Sequence, residues 1–152
     1  MNAPILVFGW GNPSRGDDAL GPLFIEALDA LALPGVECLT DFQLQVEHAL
    51  DLQGRQRVLF VDASLTAPAP FSVVPIEADK DPSFTTHAMS PQAVLHVYGE
   101  LNDTSPPPTW LLAIRGEKYE LGEPLSPAAS DHLAAALAWA RDWLSNEGAT
   151  TP

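Results

Sequence analysis

Four aspartates and one histidine stand where this chain could do chemistry. Asp17 and Asp18 are adjacent in the glycine-rich stretch GWGNPSRGDDALG at residues 9–21, directly after the apolar run ILVF. Asp41 follows GVECLT at 35–40, Asp62 ends RVLFVD at 57–62, and His87 lies in FTTHAMSP, just ahead of a helical pattern. Two carboxylates and an imidazole make an oxygen and nitrogen donor set that suits a divalent transition metal such as nickel or zinc. A plainer role competes with this one. An aspartate after a parallel strand is often a helix cap or turn residue, which fits Asp17. It fits Asp62 less well, because Asp62 closes a hydrophobic strand and is followed by Ala-Ser rather than a glycine turn.

A glycine-rich turn after a strand can also cradle a phosphate, and here the residues argue against it. The N-terminus of a helix favours negative charge. Asp17 and Asp18 already supply that charge, with only Arg15 nearby to offset it. The third glycine of a dinucleotide fingerprint is missing, since Gly9 and Gly11 are followed by Asn12-Pro13-Ser14. The other nucleophiles assemble poorly. Cys38 falls inside an expected strand, and Ser64 has no histidine placed by sequence to activate it, so no Ser-His-Asp arrangement emerges. His48 and His96 read as partly exposed residues of amphipathic helices, and His132 as a first-turn residue of the last helix.

The elements that must position these groups alternate regularly. Apolar runs predict strands over 4–9, 35–40, 57–62, 71–77 and 109–115. Helical spacing of Leu20, Leu23, Phe24, Ala27, Leu28 and Leu31 predicts a helix from near Gly21 to before Pro34, with Pro22 in its first turn. Further helices are expected over 44–53, over 90–101 with Ser90 as cap, and over about 127–145 with Leu133, Leu137, Ala140 and Leu144 inward. Strand–helix–strand order implies parallel neighbours with right-handed crossovers. The expected fold is a three-layer α/β sandwich. A five-stranded, mostly parallel twisted sheet carries helices on both faces, and Pro75 pushes the 71–77 strand to an antiparallel edge. In such sheets sites gather beyond the carboxyl ends of the strands, where Asp17, Asp18, Asp41 and Asp62 fall. If the first and third strands are neighbours, their ends lie about 5 Å apart and Asp18 and Asp62 can share a ligand.

Composition narrows the partners. The chain has 152 residues, read as one domain over 1–146 with a frayed tail at 147–152. Its net charge of −13, from 20 acidic and 7 basic residues, argues against nucleic acid and anionic membranes. A basic peptide, a metal ion or a protein partner fits better. A single cysteine allows no intrachain disulfide, and no run resembles a signal peptide or a membrane span, so a cytoplasmic monomer is the expectation.

GWGNPSRGDDALG, VLFVDAS and TTHAMSP together resemble the hydrogenase maturation endopeptidases, over most of the chain and in order. The family's first signature falls on Gly9, Gly11, Asn12, Asp17, Asp18 and Gly21, its second on Asp62 and its third on His87. The resemblance implies an endopeptidase that removes the C-terminal extension of a nickel-loaded NiFe-hydrogenase large-subunit precursor. Nickel would arrive with the precursor as the recognition signal, no organic cofactor would be needed, and Asp18, Asp62 and His87 would form the catalytic and metal-binding trio. Asn12, Asp17, Asp41 and Gln43 would contact the substrate. Where many members carry an Asp-Gly-Gly/Thr turn, this chain has Asp41-Phe42-Gln43-Leu44-Gln45, and DFQLQVEHALDL looks most like the branch serving NAD-linked soluble hydrogenases. Two other classes compete. One is an acidic, metal-dependent module that binds the precursor without cutting it. The other is a peptidyl-tRNA hydrolase, which shares the Gly-x-Gly-Asn-Pro opening but needs an Arg-His-Asn stretch and a basic surface that this chain lacks.

Overall fold

The computed structural model describes residues 2–80 and 89–146. Five strands form one sheet: β1 (Ile5–Trp10), β2 (Val36–Asp41), β3 (Arg57–Ser64), β4 (Phe71–Ile76) and β5 (Thr109–Arg115). Their order is β2-β1-β3-β5-β4. Four strands run parallel, and β4 pairs antiparallel with β5 at the edge, as Pro75 led us to expect.

Three α-helices flank the sheet: α1 (Leu20–Ala30), α2 (Pro91–Asn102) and α3 (Pro127–Ser145). The sequence explains where two of them start. Ser90 and Ser126 accept hydrogen bonds from the amides of Ala93 and Ala129 at 3.1 and 3.2 Å, each with proline in the first turn. Alternation along the strands then builds two cores. Ile5, Val7, Leu59, Val61, Leu112 and Ile114 pack with α1 and α3 on one face. Leu6, Phe8, Val58 and Phe60 pack on the other with Leu52 and with Val94 and Leu95 of α2. No helix among the described residues is long and apolar enough to cross a membrane.

Two boundaries differ from the sequence reading in ways that matter for the site. The helix expected over 44–53 is a 3-10 helix over Val46–Leu52. It is held between Leu44, whose carbonyl accepts from the Met89 amide at 3.0 Å, and Gly54 at φ 76°. Seven residues in that span close with tight i→i+3 bonds. Strand β3 also runs on past Asp62 to Ser64, because Asp62, Ala63 and Ser64 stay in register with Ala113, Ile114 and Arg115. Asp62 therefore sits inside the paired strand and inherits its rigidity.

Candidate functional site

The carboxyl end of β1 leads into a turn that only small residues allow. Gly11 adopts φ 147°, and a β-carbon there would overlap the backbone oxygen of Asp18. Gly21 lies against the backbone of Trp10, so the start of α1 presses directly on the strand end. The chain between them makes a short 3-10 turn, Gly16–Ala19, which points its two carboxylates in different directions.

Asp17 turns inward. Its side chain is fully buried, and its two oxygens accept from the amides of Glu117, Lys118 and Ser126 and from the Ser126 hydroxyl, at 2.7–3.2 Å. Burial alone would raise its pKa. The hydrogen bonds from Ser126, Glu117 and Lys118 outweigh that and hold it below the usual carboxylate value. With both oxygens engaged and no exposed surface, Asp17 is a fastener between the β1–α1 turn and the segment joining β5 to α3. This corrects its expected place among the substrate contacts. Gly16 and Gly122 reinforce the joint through backbone bonds to Glu123 and Ser14.

Asp18 turns outward. Its Oδ2 accepts from the Asn12 amide at 3.0 Å, while the Asn12 side chain accepts from the Ser14 amide at 2.8 Å. Asn12 thus shapes the turn and orients Asp18. Asp62 lies on the β3 face that packs toward α2, since Phe60 and Val58 of the same parity belong to that core. Burial pushes its carboxyl up to about 7, against an opposing bond from the Ala63 amide, and the nearby Asp18 carboxylate adds a smaller rise. A buried carboxyl raised further by a neighbouring carboxylate marks a site that lacks positive charge. Tyr119, half-buried in the segment after β5, feels the same field: burial and then Asp62, Asp18 and Asp17 raise its phenol, so it remains a neutral donor. Sequence reasoning missed Tyr119, although its position beyond a strand's carboxyl end was a usable signal.

Asp41 ends β2 level with Trp10 of β1, and Gly9 pairs with Val61, so Trp10 stands in the row between Asp41 and Asp62. At about 5 Å per strand, the two aspartate backbones are on the order of 10 Å apart. Gly11 donates to the Asp41 carbonyl at 3.2 Å, tying the two turns together. Between them lies a cavity of about 190 Å³ lined by Gly11, Pro13, Pro22, Thr40, Asp41 and Phe42. Gln43, half-buried, follows in the same turn.

The remaining candidates sort by their contacts. His87 lies outside the described residues, as does the tail at 147–152. Among the described residues no group of three histidine, cysteine or acidic side chains converges to hold a metal; Asp18 and Asp62 are a pair. His96 makes an i,i+4 ion pair with Glu100, and His132 hydrogen-bonds the Arg115 carbonyl at 2.8 Å. His48 is buried rather than partly exposed, and contacts Asp41. Cys38 is a poor nucleophile, because burial and the Asp29 and Glu37 carboxylates push its thiol up to about 11. The Ser64 hydroxyl is occupied in its own turn, accepting from the amides of Thr66 and Ala67.

No protein-family model matches the chain, and no curated relative matches it. Solved structures do. The hydrogenase maturating endopeptidase HybD from E. coli is similar over 97% of this chain and 94% of its own, at 25% identity and a TM-score of 0.74. The NiFe hydrogenase maturation protease HycI from Thermococcus kodakarensis KOD1 is similar over 95% of this chain and 94% of its own, at 21% identity and a TM-score of 0.73. The endopeptidase HycI from Escherichia coli is similar over 97% and 94%, at 20% identity and a TM-score of 0.69.

Proposed function

We propose that this chain, which is similar over nearly its whole length to hydrogenase maturation endopeptidases, is an endopeptidase of hydrogenase maturation that acts by reading nickel carried in the precursor of a hydrogenase large subunit. In this reading Asp18 and Asp62, joined by His87, ligate the precursor's nickel and so align the bond to be cut near the precursor's C-terminus. The observation that carries it is the Asp18–Asp62 pair itself. Burial, with the Asp18 carboxylate adding to it, disfavours the charge of Asp62, and a carboxyl raised to about 7 gains from an incoming cation. In this reading nickel arrives with the precursor and no organic cofactor takes part.

Tyr119, kept neutral, is a donor within the field of both carboxylates. Asn12 supports this chemistry by holding Asp18, and Asp41 with Gln43 lies along the route a precursor segment takes past the cavity.

The test is the intact mass of a hydrogenase large-subunit precursor after incubation with this protein, in nickel-loaded and nickel-free forms. Loss of a C-terminal peptide from the loaded form alone is expected. Equal cleavage of both forms overturns the nickel reading. Binding without any mass change would convert the protein into a chaperone for the precursor.

A further inference from the structure

His48 falls outside the trio, yet its imidazole is committed at both nitrogens. Nδ1 accepts from the Gln45 amide at 2.8 Å, and Nε2 lies 3.1 Å from Oδ2 of Asp41. Because an amide can only donate, Nδ1 carries no proton, so the proton is on Nε2 and is donated to Asp41. The ring is buried and packs edge-on against Phe8 with centroids 4.6 Å apart, which fixes its plane. The other Asp41 oxygen accepts from the Phe42 amide at 2.7 Å. One carboxylate is therefore gripped from two directions while 41% of its side chain stays exposed on the rim of the cavity. Among the described residues the Asp41 carboxylate takes no other donor.

We infer that His48 is a positioning residue for substrate selection: it holds the Asp41 carboxylate and the wall formed by Thr40, Asp41 and Phe42 in the geometry that meets hydrogen-bond donors of the precursor. This rests on the peptidase reading above. The charge-neutral ring matters to it only as a rigid ruler. It spans from the Gln45 amide, at the start of the 3-10 helix, to the Asp41 side chain at the end of β2. A change at His48 should reach the precursor through Asp41 and through no other residue of the site.

The two bonds can be removed separately. His48→Asn keeps an acceptor for the Gln45 amide but is too short for Asp41; His48→Gln reaches Asp41 but gives up the amide. With nickel-loaded precursor, His48→Asn should raise KM roughly tenfold, the scale of a hydrogen bond to a charged group, while kcat falls by less than about twofold. His48→Gln should restore most of the KM. In an Asp41→Ala background, His48→Asn should add almost nothing. Equal KM losses for Asn and Gln, or an undiminished effect of His48→Asn without Asp41, would show a packing role and overturn the proposal. Precursor affinity, measured by calorimetry on the same variants, separates the two readings. A wild-type protein that binds without cutting defeats the peptidase reading and leaves affinity to follow the KM pattern. A wild-type protein that neither binds nor cuts defeats both.

Discussion

At Asp62 the cost of the site can be measured in the metal-free protein. Its carboxyl is raised to about 7 in the folded chain, against 3.8 when unperturbed. Between these values the folded state keeps a proton that the unfolded state has lost, so this residue's contribution to stability falls as pH rises from about 4 to about 7. Replacing Asp62 with Asn should remove that penalty. The variant should be more stable than wild type at pH 8 by on the order of a few kcal/mol, with little difference at pH 4, in thermal or urea unfolding. It should also lose cleavage, as should Asp18→Asn. An Asp62→Asn protein that melts earlier at pH 8, or still cuts precursor, removes Asp62 from the role given to it. At this scale the sequence located the residue types well: Asp18 and Asp62 were legible from their places beyond and within apolar strands. What was illegible was direction. Nothing in the dipeptide Asp17-Asp18 says which carboxylate turns inward, because the partners of Asp17 lie about a hundred residues away.

Among the elements, the Asp17 joint is the decisive contact. It gathers the β1–α1 turn, the segment after β5 and the cap of α3, since Ser126 both donates to Asp17 and accepts from Ala129. Asp17→Ala would orphan several buried donors at once, and roughly 3–5 kcal/mol of stability should be lost in denaturant unfolding. The wild-type joint carries its own pH signature. With its pKa lowered in the folded state, Asp17 contributes stability above about pH 4 and loses it as the pH falls further. An acid-unfolding midpoint unchanged by Asp17→Asn would contradict this. Helix α3 and its serine cap were legible because Ser-Pro before an amphipathic run is a local signal. The 3-10 helix Val46–Leu52 was not: its apolar pattern suits an α-helix, and what tightens it is its anchorage at Leu44 and the bond between Gln45 and His48.

For the whole molecule, the net charge of −13 sets how partners approach. An acidic surface steers a basic segment toward the site, so the apparent KM for precursor should rise as salt is raised from about 0.05 to 0.3 M. A KM indifferent to salt would place the whole affinity in the cavity and the metal. The sheet itself was legible, down to its antiparallel edge, because prolines and apolar runs announce strands locally. The order of β4 and β5 needed contacts that no local pattern carries. That order bears on the ribosome. Among the described residues, strand β4 has its one sheet neighbour in β5, and the Asp17 side chain finds its partners at residues 117–126. A growing chain would thus emerge with Asp18 and Asp62 both made, yet with nothing to seat Asp17 until residues 117–126 have been synthesised. The joint that seats Asp17 closes only after the residues that follow β5 have left the ribosome.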